Sequence, residues 1–180
     1  MDVRRDPMAG LAVLLPKLYG LAGEYAPDVR LTIGDVRPLP GVINTVPGQV
    51  TLTLDVRHPE TAVLDAIEAV VRQLVPTCCA AAGLTGELTR SWDSPPVQFA
   101  EACITAVREA AAAIGLPAHE MISGAGHDAV YVSRVTPTSM IFVPCENGLS
   151  HNEAENIEPA HAEAGANVLL HAMLRLANPQ

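Results

Sequence analysis

The sequence has 180 residues, of which 49% are hydrophobic and 17% charged, so it can bury one or two cores and long disordered tracts are excluded. Its net charge is −9 and its 11 basic residues are scattered, which argues against a nucleic-acid partner because phosphate binding needs clustered Lys and Arg. No apolar stretch is long enough to span a membrane, the start lacks an apolar signal region, and the four cysteines form no CxxC pair, so we expect a cytoplasmic protein with reduced thiols and no membrane partner.

The first half of the chain predicts two helices and three strands. Leucines recur every three or four residues up to about Glu24, and Asp6 before Pro7 is a suitable N-cap, so an amphipathic helix is predicted there. Apolar and polar residues alternate strictly from Gln49 to Arg57, which predicts a strand with one face on a core. The other predicted elements are a strand at Val29–Pro38, a helix at Thr61–Ala82 with Thr61 as its N-cap, and a short strand at Gly86–Trp92.

Helix, strand, strand, helix and strand are the last five elements of a β-α-β-β-α-β sandwich. The sequence begins where the first strand of such a sandwich should end. We therefore predict a ferredoxin-like α-β sandwich over residues 1–94 that lacks its first strand.

Residues 95–180 have the character of the last part of an α/β domain. An Ala-rich helix is predicted at Val97–Ile114, and a Gly-rich turn follows at residues 123–128. The apolar run at Ser139–Pro144 predicts a short strand buried within a sheet. The pattern at Pro159–Ala177 predicts a final helix.

The strongest local signal is the segment Cys145–Glu155, which directly follows the predicted apolar strand. Strand ends in α/β sheets open onto ligand crevices, Gly148 permits a sharp turn, and a loop then presents His151. A neutral imidazole on a rigid loop suits a divalent metal, and nearby acids can fix the ring. The alternative is an ordinary surface histidine beside solvated acids, because a single histidine is a weak metal signal.

The Gly-rich turn Ser123-Gly124-Ala125-Gly126-His127-Asp128 is a second candidate site. Its glycines permit close backbone approach, and successive N–H groups can hold an anion. His127 followed by Asp128 fits a proton relay or a support for a metal ligand. The equally supported alternative is a turn whose glycines only satisfy positive φ.

A third candidate combines Asn44, in a turn, with Arg57, at the polar end of the alternating strand. Arginine binds a carboxylate through two parallel hydrogen bonds, and asparagine can add a third contact. The alternative is a surface salt bridge between Arg57 and Asp55 together with an asparagine that stabilises the turn.

In combination, these segments resemble the hydantoinase/carbamoylase group of amidases in the aminoacylase and carboxypeptidase superfamily. That group includes N-carbamoyl-L-amino-acid hydrolases, allantoate and ureidoglycolate amidohydrolases, and β-ureidopropionases. The resemblance covers essentially all 180 residues and rests on the order of these motifs: Arg4-Arg5-Asp6, Asn44-Thr45-Val46-Pro47-Gly48, Asp55-Val56-Arg57-His58, Ser123-Gly124-Ala125-Gly126-His127-Asp128-Ala129, Phe142-Val143-Pro144, and Gly148-Leu149-Ser150-His151 with Glu155.

The resemblance implies that residues 1–94 are most of a lid and dimerisation domain and that residues 95–180 are the C-terminal segment of a catalytic domain. It implies a homodimer formed through the lid, and a divalent zinc or manganese site for which His151 is the last ligand. Asn44 and Arg57 would grip the carboxylate of a small-molecule substrate, and Gly124 would contact that substrate through its backbone. His127 would lie beside Gly124 in a supporting role, and Glu155 would support His151.

The resemblance also implies that the general base and most metal ligands of the family precede the region matched here. We therefore expect a C-terminal portion that binds metal poorly and is inactive alone, with a missing N-terminal half as a possible partner. Its relatives cleave linear C–N bonds in N-carbamoyl amino acids or allantoate-like substrates. The alternatives are a non-catalytic dimerisation or carboxylate-binding module and a fragment of a related metallopeptidase.

Overall fold

A computed structural model describes residues 3–178 of the chain. It has a mixed α/β architecture in two compact units, Met1–Pro96 (unit 1) and Val97–Gln180 (unit 2). Within the described residues no helix combines the length and apolar character needed to cross a membrane. The elements in chain order are α1 (Pro7–Glu24), β1 (Arg30–Leu39), β2 (Gln49–Arg57), α2 (Thr61–Ala81), α3 (Glu101–Ala113), α4 (Asp128–Val132), a 3₁₀ turn (Glu146–Gly148) and α5 (Pro159–Ala177).

Helix α1 begins as its sequence predicts. The Asp6 carboxylate accepts a hydrogen bond from the Met8 backbone N–H at 3.0 Å, and Pro7 occupies the first helical position, where a missing N–H costs nothing. The predicted apolar stripe is buried, with Leu18 only 1% exposed. The N-cap and the amphipathic pattern predicted for this segment are therefore confirmed.

Strands β1 and β2 form an antiparallel hairpin whose register pairs Arg30 with Arg57 and Leu39 with Gln49. The strict alternation predicted for β2 is confirmed, since its apolar residues are half-buried and its polar residues are exposed. Strand β1 carries a bulge between Ile33 and Asp35, which shifts the alternation along its second half. The hairpin thus has one face on the core and one polar face in solvent.

The core of unit 1 lies between the hairpin and helices α1 and α2. Its least exposed side chains are Leu18 from α1 with Ile67 and Val71 from α2. Thr61 is already helical, and the extended residue before it, Glu60 (φ −110°, ψ 121°), occupies the N-cap position without a side-chain cap bond. The prediction of Thr61 as N-cap is therefore wrong by one residue.

The strand predicted at Gly86–Trp92 is not present, although these residues are described. A strand needs backbone hydrogen bonds to a neighbour, and within residues 3–178 β1 and β2 pair only with each other. The segment still packs inward, since Leu88 contacts the core and Gly86 lies against α2. The side chains of this segment thus pack as they would in a strand, although its backbone is not paired with another strand.

Replacing Gly86 by alanine is expected to lower the free energy of unfolding by about 1–3 kcal/mol. The added Cβ would lie 2.5 Å from Cys79 Sγ and 2.9 Å from Val75 Cγ1, so side chains of α2 must move. The control is Gly20→Ala in α1, where nothing lies within 4 Å of the new Cβ. Alanine at position 20 should raise the free energy of unfolding by about 0.5–1 kcal/mol. Equal urea midpoints for the two variants would contradict the packing of residue 86 on α2.

Unit 2 is organised around the contact between α3 and α5. Its core consists mainly of small side chains, so the two helices pack closely: Ala106, Ala110, Ala111, Val168 and Ala172. Helix α3 begins at Glu101 rather than at the predicted Val97, because Ala100 has an extended backbone and its N–H donates to the Thr138 carbonyl at 3.0 Å. Helix α5 has the predicted bounds, whereas the short helix α4 was not predicted.

The buried strand predicted at Ser139–Pro144 is also wrong. This segment has no strand pairing within the described residues, and Phe142 is 49% exposed. Its other side packs inward, because Ile141 contacts the core of unit 2 and the Val143 side chain lies against Gly165 of α5. The segment is therefore covered on one side by helices, with no neighbouring backbone in this part of the chain to make it a strand.

Candidate functional site

Arg57 is held at the end of β2 by an ion pair with Asp55 on the same polar face. Its Nε lies 3.0 Å from Asp55 Oδ1, and its Nη2 lies 2.7 Å from Asp55 Oδ2. The two side chains are 46% and 45% exposed, so solvent screens the pair and its contribution to stability is small. The salt bridge that one sequence interpretation predicted is present, and it fixes the orientation of a solvent-accessible guanidinium.

We predict that the pKa of Asp55 lies below the ordinary value of 3.8, because the Arg57 guanidinium hydrogen-bonds to its charged form. A lowered folded pKa means that the ion pair stabilises the fold above about pH 4 and that this contribution is lost as pH falls through the lowered pKa. The measurement is an NMR titration of the Asp55 carboxyl carbon. Arg57→Ala should return the pKa towards its ordinary value, and an unchanged pKa in that variant would contradict the assigned cause.

Asn44 precedes the first residue of β2, whereas Arg57 is the last residue of that strand. Asn44 belongs to the connection between the strands, and the strand itself spans about 26 Å from Gln49 to Arg57. The connection that carries Asn44 is highly exposed, with Ile43 fully so. The structure of one chain does not bring these two predicted carboxylate contacts together.

The Gly-rich turn is organised by a contact that joins its first and fifth residues. Ser123 Oγ lies 2.7 Å from His127 Nε2 and accepts a hydrogen bond from the Ala125 N–H at 3.2 Å. The His127 ring also packs edge-on against Phe142, with the ring centroids 5.4 Å apart. His127 precedes α4, and Gly124 is exposed at the surface of the turn. The ring partner of His127 is thus Ser123 and not Asp128.

The loop carrying His151 has an unusual backbone. Asn147 and His151 have positive φ values of 54° and 56°, and Gly148 has a φ of 69°. The Glu155 carboxylate accepts a hydrogen bond from the His151 N–H at 2.8 Å, and the Cys145 Sγ lies 3.8 Å from the same carboxylate. Glu155 thus contacts the backbone of His151 and not its ring, which leaves the exposed imidazole accessible.

The described residues do not by themselves fit a metal ion. A catalytic zinc takes about three protein ligands, and within residues 3–178 no group of three His, Cys, Asp or Glu side chains is placed to hold one. His151 is at most a single ligand in this chain. The four cysteines are free thiols and supply no alternative cluster.

Two residues of these sites escaped the sequence analysis as functional contacts. Ser123 belongs to the predicted Gly-rich turn, but no contact was predicted for its side chain. Its spacing of four residues from His127 was the one sequence feature that could have indicated the contact. Phe142 was assigned to a strand and to one of the ordered motifs, with no contact to His127 predicted. The approach of its ring to His127 joins residues 15 positions apart in the sequence, which no local pattern encodes.

A family model described as "Peptidase family M20/M25/M40" matches residues 9–175. The N-carbamoyl-L-amino-acid amidohydrolase of Rhizobium meliloti is 37% identical over 177 residues, which cover 98% of this chain and 42% of that protein. The allantoate amidohydrolase of Bacillus subtilis is 32% identical over 177 residues, covering 98% of this chain and 43% of that protein. The chain therefore spans less than half the length of these relatives.

Comparison with solved structures also indicates similarity to amidases. The crystal structure of a hydantoinase/carbamoylase family amidase from Burkholderia multivorans superposes with a TM-score of 0.90 at 44% sequence identity. The superposition covers 100% of this chain and 44% of that one. The similarity to the hydantoinase/carbamoylase amidases inferred from the ordered motifs is thus confirmed.

Proposed function

This chain belongs to the peptidase family M20/M25/M40, and from that membership we propose that it forms part of a metal-dependent amidohydrolase. The proposed reaction is hydrolysis of a linear carbamoyl or ureido C–N bond in N-carbamoyl amino acids or allantoate-like substrates. The observation that carries the proposal is the match of 98% of the chain to the Rhizobium meliloti N-carbamoyl-L-amino-acid amidohydrolase.

In this proposal unit 1 is a lid and dimerisation domain, and unit 2 is the C-terminal segment of a catalytic domain. The unpaired segment at residues 86–92 supports a sandwich whose first strand is not among the described residues. The one-sided cover of residues 139–144 likewise suits a strand whose neighbours belong to other parts of a larger α/β domain.

Helix α5 offers a surface for such a completing part. Val168 and Ala172 are buried against α3, and next to them a second row of large apolar side chains is about half exposed. An exposed row of large apolar side chains beside a buried row marks a surface for contact with another part of a protein. The exposed row comprises Leu169, Leu170, Met173, Leu174 and Leu176. We assign this row to contact with the N-terminal half of a full-length amidohydrolase.

The substrate carboxylate is assigned to Arg57, whose guanidinium is oriented and accessible. Asn44 is assigned to the same carboxylate only from a second copy of the chain, because the length of β2 separates the two residues. Gly124 and His127 are assigned to the substrate through the Gly-rich turn. A homodimer through unit 1 is the assembly that these roles require.

His151 is assigned as one ligand of a zinc or manganese site, with Glu155 holding its backbone. The remaining ligands and the general base are assigned to the completing half, because the described residues contain no ligand cluster. We therefore propose that the chain alone neither holds the metal stably nor turns over substrate.

The test is a complementation assay with N-carbamoyl amino acids and allantoate in the presence of zinc or manganese. The chain is assayed alone and with the part of the Rhizobium meliloti enzyme that lies outside the matched region. Turnover by the pair but by neither part alone is the expected result. Turnover by the chain alone would refute the proposal that it is catalytically incomplete. A pair that assembles without turnover, while the chain binds carboxylates, would favour a binding module.

A further inference from the structure

The Gly-rich turn contains a hydrogen-bond arrangement that determines more than the shape of the turn. A serine hydroxyl has one hydrogen to donate and two lone pairs to accept with. One lone pair of Ser123 Oγ is used by the Ala125 N–H. Within residues 3–178, the other hydrogen-bond partner of this hydroxyl is His127 Nε2, at 2.7 Å. A bond donated by the hydroxyl to Nε2 gives the hydroxyl hydrogen a partner among the described residues, whereas the reverse bond would leave that hydrogen to solvent.

A neutral imidazole carries one N–H, and the nitrogen that accepts a hydrogen bond cannot be the one that bears the hydrogen. With Nε2 as acceptor from Ser123, the hydrogen of His127 is on Nδ1. No hydrogen bond to Nδ1 is formed by the residues that the structure describes. Packing against Phe142 restricts rotation of the ring, so the donor nitrogen keeps its position.

We infer that Ser123 is a positioning residue that holds His127 as the Nδ1–H tautomer and so supplies a fixed N–H donor for an oxygen atom of a ligand. The other tautomer would present a lone pair at Nδ1 and repel an oxygen acceptor. The inference rests on the proposed function in one respect, that the ligand is the carbonyl or carboxylate oxygen of the proposed substrate. The tautomer itself depends only on the turn.

The experiment measures the tautomer directly in the full 180-residue chain. Two-bond nitrogen–proton NMR spectra of the imidazole rings are recorded at a pH where histidines are neutral, and the His127 signals are identified by their loss in His127→Gln. The Nδ1–H pattern is expected in the parent chain and in Ser123→Thr, which keeps the hydroxyl. In Ser123→Ala the tautomer ratio should move about tenfold towards Nε2–H, the form free imidazole side chains prefer in water. His119, in an exposed loop, is the internal control.

An Nε2–H pattern in the parent chain, or an unchanged ratio in Ser123→Ala, would overturn the inference. If Ser123→Ala does not fold, the parent and Ser123→Thr spectra decide it. The role towards substrate is read separately in the complemented pair, where Ser123→Ala should lower kcat/KM about tenfold and Ser123→Thr should restore it. A pair without any turnover would count against the proposed function, whereas the spectra would still decide the tautomer.

Discussion

Replacing Arg57 by alanine should lower kcat/KM of the complemented enzyme for N-carbamoyl amino acids by about 100-fold. A charge-assisted, two-bond contact with a carboxylate is among the stronger polar interactions, and alanine removes all of it. Because Arg57 already lies fixed beside Asp55, little side-chain freedom is lost when substrate binds. The measurement is steady-state kinetics of each variant chain combined with the same completing half.

The hairpin contains its own control for this experiment. Arg37 forms an ion pair with Asp35 on β1 at 2.6 Å, with the same spacing of two residues as Arg57 and Asp55. Arg37→Ala therefore removes an equivalent surface pair and should leave kcat/KM nearly unchanged. Arg57→Lys should recover only part of the loss, since an ammonium lacks the two-pronged geometry. Equal losses in Arg37→Ala and Arg57→Ala would rule out the specific role of Arg57.

Helices α1 and α5 were among the most predictable elements of the fold because their signals are local. Asp6, Pro7 and the leucine spacing define the start and the buried face of α1 without reference to any other element. Strand β2 was predictable for the same reason, since its alternation appears in nine consecutive residues and its partner β1 is close in sequence. Local periodicity suffices wherever an element and its neighbour are both near in the chain.

The two wrong strands have a common physical origin. Residues 86–92 and 139–144 have strand-like side-chain patterns, and each buries one side as a strand would. Strand formation also requires a neighbouring backbone, which is a property of the whole sheet and not of the segment. The sequence of a segment therefore predicts its inward face but cannot supply the hydrogen-bond partner.

In the candidate site, too, local features were predictable and contacts with distant segments were not. Residue identities came from short motifs, and the backbone feature at Gly148 was predictable because positive φ favours glycine. The contact of Phe142 with His127 was not predictable, because it joins residues 15 positions apart in the sequence. The contact of Ser123 with His127 depends on how the turn closes, which their spacing of four permits but does not require. The positions of Asn44 in a turn before β2 and of Arg57 at the far end of that strand were predictable, because both follow from the alternating pattern and its turn signals.

Replacing His151 by alanine should weaken zinc or manganese binding by the complemented enzyme by more than the roughly 10–100-fold that loss of a supporting contact costs. A ligand removed from a site of about three protein ligands leaves a coordination position that the protein cannot refill. The imidazole has no competing partner in the described structure, and its backbone is fixed by Glu155, so the loss should be close to complete. Metal content after dialysis and turnover against added metal are the two measurements.

Two further variants separate a ligand from its support. Glu155→Ala removes the acceptor of the His151 N–H and should weaken metal binding about 10–100-fold, whereas Glu153→Ala in the same loop should have little effect. His119→Ala removes an exposed loop histidine of unit 2 and controls for nonspecific histidine loss. If His151→Ala and His119→Ala retain equal metal, His151 is a surface histidine. If Glu155→Ala loses metal while His151→Ala retains it, the Glu155 carboxylate is the ligand. The positive φ of His151 would then act only to position Glu155.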